Sequence, residues 1–524
     1  MNKKKVIVLG IDGACWEQIM PYIDDLPNFR SFVQKGCWGN LVSCVPPVTF
    51  PAWKCYSTGR NPDSLGVYWW VNVNFDEKKF IYHNANSFKG REIWDYLGDY
   101  GYKSGVINMP GTYPPKKING FIVSGIPAED SVIYTYPPNL KEFLVKMGYR
   151  IHPQIDLHFK LYKGSTKKDI LNDILNLIEK RFEVAKFFLN DVDFLHVTIF
   201  YWDFIHHFFG NDEDIKFNLY KKVDAELGEL MRSLSLDTYI FLVSDHGLRK
   251  IDYSFRLNEW LKRKGYIKLT HNPSMLLERL GFSVDKLAKV VNISKFVSGV
   301  VDGIIKYMPK SCISWLKNII PTQEGFENFS ALEKILDLEE TLAFALGTII
   351  FCNKNKFSSS YELKRFKLNL KKDLIQIKNP DTEEYIFENV WIDKELYPKT
   401  DLDAIFVLPK PGHSIYMGLA SQDRELWLKD CVHKWVWDHT LYGIFGVIGP
   451  GIKNSYFINN INLIDLAPTM LHIFNVPIPS DIDGRLLKDI FVQDSINDVN
   501  KQTVQYRNLL KEKIKKNLNK FRKK

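Results

Sequence analysis

The sequence lacks a cysteine framework. Its seven cysteines are scattered, odd in number and form no CxxC pair. That argues against a disulfide-stapled scaffold and fits reduced thiols in a cytoplasmic protein. No apolar run reaches the length of about 18 residues that a membrane-spanning helix needs. The opening MNKKKVIVLGIDGACW places lysines before apolar residues, as a signal peptide does. Asp12 interrupts that run too early for an h-region, and no small-residue cleavage site clearly follows. A cytoplasmic location is therefore expected. No internal repeat or low-complexity segment is present.

An excess of one charge is also missing from most of the chain. The formal net charge is +9, but residues 501–524 carry ten Lys or Arg against the single Glu512. Residues 1–500 hold 60 basic and 60 acidic side chains and are neutral. The basic signal belongs to a C-terminal tail, 496–524, expected as a solvated terminal segment that at most touches an anionic surface. No stable nucleic-acid partner is expected.

The chain is long enough, at 524 residues, for more than one unit. Short, nearly continuous apolar runs read as buried parallel strands: residues 6–13, 103–110, 194–203, 239–247 and 443–451. Between them lie helix-spaced stretches such as LNDILNLIEKRFEVAKFFLN, 171–190. The alternation predicts an α/β fold, a mostly parallel sheet covered by helices on both faces. Residues 266–335 break this rhythm with successive amphipathic stretches and read as a helical cap insertion, either a substrate lid or a surface decoration. Residues 360–400 read as charged and helix-like with a turn at 378–381, and DAIFVLP, 403–409, as a strand returning to the sheet.

Ligands of such sheets bind beyond the carboxyl ends of the strands. There the sequence places Asp12, Asp203, and Asp245 followed by His246. His207 comes four residues after Asp203, so one helical turn would put both on one face. His439 stands just before the last apolar run, and Thr49 lies in a loop-like PPVTFPAW stretch. Three carboxylates, three imidazoles and a hydroxyl match the needs of a pair of divalent ions, zinc or alternatively manganese. Two such ions can clamp the attacking and leaving oxygens of a displacement at phosphorus. His206, beside His207, has no place in this spacing.

The ordered set GIDG, PPVTFPAW with STGRNPDSLGV, DFIHH, VSDHG and HTLYGIFGVIGPGI resembles the alkaline phosphatase superfamily. The nearest branch is the type I phosphodiesterase/nucleotide pyrophosphatase family and its phosphohydrolase relatives. The resemblance implies a three-layer αβα core over 1–265 and 336–495. It implies one metal on Asp12, Asp245, His246 and the Thr49 oxygen, and another on Asp203, His207 and His439. Thr49 would attack phosphorus in a small phosphoester, passing through a phosphothreonine that water hydrolyses. His413 in KPGHSIY stays open as an alternative to His439, and Asn72 or Asn74 as the phosphate-binding asparagine of the family.

A sulfatase needs Cys or Ser in a Cys-x-Pro-x-Arg context; Thr49-Phe50-Pro51-Ala52-Trp53 supplies neither that residue nor the arginine. Cofactor-independent phosphoglycerate mutase uses serine. The implied activity is hydrolysis of a phosphodiester or pyrophosphate, of nucleotide or sugar-phosphate type. A phosphomonoesterase on the same site, or an inactive scaffold on a phosphatase core, are the alternatives. Tyr68, Trp69 and Trp70 could stack on a base or sugar, or pack under a loop.

Overall fold

Along β1 (Lys5–Ile11), Val6 and Val8 pack into one apolar cluster and Ile7, Leu9 and Ile11 into another. This alternation puts β1 between two helical covers. The computed structural model describes residues 4–154, 166–270, 329–420, 422–429, 435–493 and 495. Most of the expected cap, 271–328, and the tail 496–524 lie outside the described residues.

The sheet continues with β2 (Cys37–Val42), β3 (Ser104–Ile107), β4 (Gly120–Val123), β5 (Thr135–Tyr136) and β6 (Phe194–Ile199). β7 (Thr238–Val243), β8 (Tyr442–Ile448) and β9 (Tyr456–Asn462) complete it. The spatial order is β9-β2-β8-β7-β1-β6-β3-β4-β5. β7, β1, β6, β3 and β4 run parallel. β8 does not. The 443–451 run, expected as parallel, is antiparallel to both β2 and β7. A continuous apolar run reports burial on both faces, and strand direction depends on the connection instead.

The covering helices, in chain order, are α1 (Pro27–Lys35), α2 (Thr49–Thr58), α3 (Ile93–Asp99), α4 (Lys167–Phe188), α5 (Tyr201–Phe209), α6 (Glu213–Arg232) and α7 (Leu466–Ile473). Phe29 and Phe32 of α1, Ile174 and Phe182 of α4, Trp202 of α5 and Leu219 of α6 pack with Ile7, Leu9 and Ile11. Trp53 and Tyr56 of α2, Trp94 of α3 and Met470 of α7 pack with Val6 and Val8. The result is the three-layer α/β architecture. α4 covers the helical stretch read at 171–190 and starts on a capping box. Thr166 Oγ1 accepts from Asp169 N at 3.2 Å, and Asp169 Oδ2 accepts from Thr166 N at 2.8 Å.

The chain divides into two compact units: residues 1–69, 84–249 and 435–524, and residues 70–83 and 250–434. The sheet above belongs to the first. In the second, Ala404–Pro409 pairs antiparallel with Ile349–Cys352 and Phe387–Ile392 in a four-stranded sheet of its own. The 403–409 run therefore does not return to the central sheet, because an apolar run carries no label for its partner. The 360–400 stretch holds a helix, Ser360–Ile375, but also the strand Phe387–Ile392, with the short helix Asp393–Leu396 after it. The expected turn is present, with Asn379 Oδ1 accepting from Asp381 N at 2.9 Å.

Candidate active site

Three strand ends and one helix start meet at the carboxyl edge of the central sheet. Asp12 follows β1, and its N–H donates to Ile199 O at the end of β6, 3.2 Å away. Asp245 and His246 follow β7. Ser244 fixes that turn: its Oγ accepts from Ile444 N (2.9 Å) and donates to Ala14 O (2.7 Å).

Asp203 lies beyond a strand end but not on one. β6 stops at Ile199 and α5 begins at Tyr201, so the expected strand 194–203 is four residues too long. The aromatic run Phe200–Trp202 looks like a strand yet forms the first turn of α5. With Asp203 and His207 both on that helix, the i,i+4 spacing brings Asp203 Oδ2 within 3.1 Å of His207 Nε2.

Thr49 is the first residue of α2, not a loop residue. Pro51 disguises the helix in the sequence. The first-turn N–H groups have no intrahelical acceptor, so a proline there removes nothing. The helix ends at Gly59, whose φ of 68° is the left-handed conformation that favours glycine.

Asp12, Thr49, Asp203, His207, Asp245 and His246 are all buried, and His439 is half-buried. Thr49 Oγ1 lies 3.1 Å from His246 Nε2 and 3.4 Å from Asp12 Oδ1. His246 Nε2 lies 3.1 Å from Asp245 Oδ2 and 3.6 Å from Asp12 Oδ1. His439 Nε2 lies 3.1 Å from His207 Nε2 and 3.5 Å from Asp203 Oδ1. The ligand atoms of Asp12, Asp245 and His246, and those of Asp203, His246 and His439, each lie within 4.8 Å of one another. His246 thus stands between both groups, its ring stacked on His439 at 3.8 Å.

The tautomers follow from the backbone. His207 Nδ1 faces Trp437 O at 2.7 Å, His439 Nδ1 faces Pro47 O at 2.8 Å, and His246 Nδ1 faces Gly247 O at 3.1 Å. A carbonyl only accepts, so each Nδ1 donates and each neutral ring turns an Nε2 lone pair inward. Asp203 Oδ1 and Asp245 Oδ2 are buried and accept no hydrogen bond. Apart from the Thr49 hydroxyl, which donates to Asp12 Oδ1, the neutral rings and carboxylates of the centre turn only acceptors toward one another, which is what a divalent cation with nitrogen and oxygen ligands requires.

Without cations the cluster is electrostatically frustrated. Burial, then the charges of Asp245 and Asp203, raise the Asp12 carboxyl well above the usual range. Burial and the Asp203 charge push Asp245 up to about 8. Burial opposes a charge on His439, but the Asp203 carboxylate beside it outweighs burial and pushes the imidazole up to about 9. Protons would do here, incompletely, what cations do better.

Other expected residues have surroundings of their own. His206 is a core residue of α5, bonded to Trp202 O (2.8 Å) and Tyr220 Oη (2.7 Å). His413 lies in the second unit, where Asn379 Nδ2 is 3.1 Å from its Nε2 and Tyr253 stacks on its ring. Asn72 and Asn74 belong to a hairpin strand, Val71–Asn74, of that unit. Tyr68 is buried and Trp69 half-buried.

Two tryptophans escaped the sequence reading. Trp53 Nε1 donates to Asp12 Oδ2 at 2.8 Å. Trp435, 44% exposed, stacks on His207 with ring centroids 3.8 Å apart. Trp53 lies four residues after Thr49, a signal that becomes readable only once Thr49 is known to start a helix.

The sequence pattern of the family described as type I phosphodiesterase/nucleotide pyrophosphatase matches residues 6–312. No curated protein matches the sequence. Among solved structures, murine ectonucleotide pyrophosphatase/phosphodiesterase 5 is similar at a TM-score of 0.50 and 14% identity, covering 93% of this chain and all of its own. An inactive threonine-to-alanine variant of that mouse protein in complex with AMP is similar to the same degree. The human counterpart is also 14% identical, with a TM-score of 0.50 and 94% of this chain covered. At this identity these structures attest the fold, and the sequence pattern attests the lineage. The chain belongs to the type I phosphodiesterase/nucleotide pyrophosphatase family.

Proposed function

We propose that this protein hydrolyses phosphodiester or pyrophosphate bonds of small molecules, of nucleotide or sugar-phosphate type, with Thr49 as nucleophile. One observation carries the reading. Three imidazoles, His207 and His246 buried and His439 half-buried, have Nδ1 atoms tied to carbonyls and aim Nε2 at buried carboxylate oxygens that lack donors. That donor set fits two divalent ions, zinc with manganese as the alternative, divided between Asp12, Asp245, His246 and Thr49 on one side and Asp203, His207 and His439 on the other. When bound, such ions make a hydroxyl more acidic and neutralise charge on the phosphoryl oxygens.

The chain's own residues supply nucleophile, orientation and shielding. Thr49 is held at the start of α2 with Oγ1 facing only acceptors. Its oxygen forms a bond to phosphorus as the bond to the departing oxygen breaks, giving a phosphothreonine. The hydroxyl proton is released to solvent, and the leaving group takes one up. Water then cleaves the phosphothreonine and restores Thr49. As the first helical residue, Thr49 also has a backbone N–H without an intrahelical acceptor, free to bind a phosphoryl oxygen at the positive end of the helix.

The family description supports diester or pyrophosphate chemistry. The mouse relative's inactive threonine variant and its AMP complex support both a threonine nucleophile and a nucleotide-like substrate here. The buried unpaired thiols of Cys15, Cys37, Cys44, Cys55 and Cys352 fit a reducing, cytoplasmic setting. The test is a screen with added zinc or manganese, comparing nitrophenyl phosphate with nitrophenyl nucleotide diesters. Faster turnover of the diesters is expected. Faster turnover of nitrophenyl phosphate would establish a monoesterase, and no turnover of either would favour the scaffold.

A further inference from the structure

We infer that Trp53 is a positioning residue that decides which oxygen of Asp12 faces the cation site; the inference rests on the metal-site reading above. Val6, Val8, Gly10 and Asp12 share one face of β1 by the alternation of a strand. On that face Gly10 leaves a gap that the Trp53 indole fills. A Cβ on Gly10 would lie 2.5 Å from Trp53 Cη2, an impossible contact. Through this gap the indole passes over the strand, and its Nε1 donates to Asp12 Oδ2 at 2.8 Å. Trp53 is fully buried, braced edge-on by Tyr56 (5.7 Å) and His196 (5.5 Å).

The bond leaves the other oxygen of Asp12 turned inward, where the Thr49 hydroxyl donates to it. Oδ1 lies 3.4 Å from Thr49 Oγ1 and 3.6 Å from His246 Nε2. Asp245 is arranged alike: Gly13 N donates to its Oδ1 at 3.2 Å, and Oδ2 lies 3.1 Å from His246 Nε2. Each carboxylate is thus held by one donor on its outer oxygen and presents the other inward. For Asp245 that donor is backbone. For Asp12 it is a side chain, four residues after Thr49 on the same face of α2. Thr49 and Trp53 therefore place the nucleophile and its neighbouring carboxylate as one rigid unit.

The test compares Trp53→Phe, which keeps an aromatic ring but no N–H, with Gly10→Ala, which keeps the N–H but displaces the indole. Tyr56→Phe is the packing control, since it removes the Tyr56–His196 hydrogen bond (3.1 Å) from the same cluster. Each protein is loaded with zinc, dialysed against graded chelator, counted for zinc per chain and melted by circular dichroism. Trp53→Phe and Gly10→Ala should each lose one of two zinc equivalents at about tenfold less chelator than wild type. Tyr56→Phe should retain both. Retention of both ions by Trp53→Phe at wild-type chelator levels overturns the inference, as does equal loss from Tyr56→Phe. If Trp53→Phe does not fold, the chelator level at which Gly10→Ala loses zinc decides in the same way. A wild-type chain that binds no zinc overturns instead the metal-site reading itself.

Discussion

His207 Nε2 and His439 Nε2 stand 3.1 Å apart, while the Nδ1 of each ring is committed to a backbone carbonyl. Two neutral imidazoles cannot bond each other in that arrangement, because neither Nε2 has a proton to give. A cation between or beside them removes the conflict. The same holds for Asp245 Oδ2 against His246 Nε2 at 3.1 Å.

Metal removal should therefore destabilise the fold as well as stop turnover. A ligand bound only by the folded state stabilises it by about 2.7 kcal/mol at a hundredfold excess over its dissociation constant. Chelated protein is expected to melt at a lower temperature than zinc-loaded protein. Identical melting curves would mean that the cluster holds no cation.

The two candidate histidines should separate cleanly. His439→Ala is expected to bind about one ion fewer than wild type, and His413→Ala to keep the full complement. His206→Phe, a core substitution, should lower the melting temperature and leave the metal count alone. Metal analysis of the three purified variants decides among these outcomes.

The helix that carries Thr49 is anchored by a buried ion pair. Lys54 Nζ donates to Glu92 Oε1 at 2.7 Å, Ser57 Oγ adds a bond at 3.0 Å, and Lys116 reaches Glu92 Oε2 at 2.7 Å. Burial opposes the Glu92 charge, but Lys54 and Lys116 outweigh it and lower its pKa to about 2. A depressed carboxylate stabilises the fold above its ordinary value near 4.5. That contribution fades only as the pH falls from there through about 2. Glu92→Gln should leave the Lys54 charge buried and cost about 3 kcal/mol in a denaturant titration near neutral pH. The double variant Lys54→Met, Glu92→Leu should cost less than Glu92→Gln alone.

Much of this site was legible because chemistry-bearing residues stand where apolar runs stop. Asp12 and Asp245 follow β1 and β7 directly, and the Asp203-to-His207 spacing already implied a shared helix face. The start of α2 was hidden because Pro51 reads as a loop former, although a first turn tolerates it. Trp53 was invisible for the same reason: its contact with Asp12 needs both the helix register and the gap at Gly10. The antiparallel direction of β8 and the separate sheet of Ala404–Pro409 depend on pairing between distant segments, which no local pattern encodes.

The most direct measurement is turnover of a nitrophenyl nucleotide diester by zinc-loaded Thr49→Ala, with zinc counted on the same sample. Loss of the nucleophile should lower turnover by about a thousandfold or more while most of the zinc stays bound. Turnover within about tenfold of wild type, at the same zinc content, would contradict attack by Thr49 and mean that water reaches phosphorus directly.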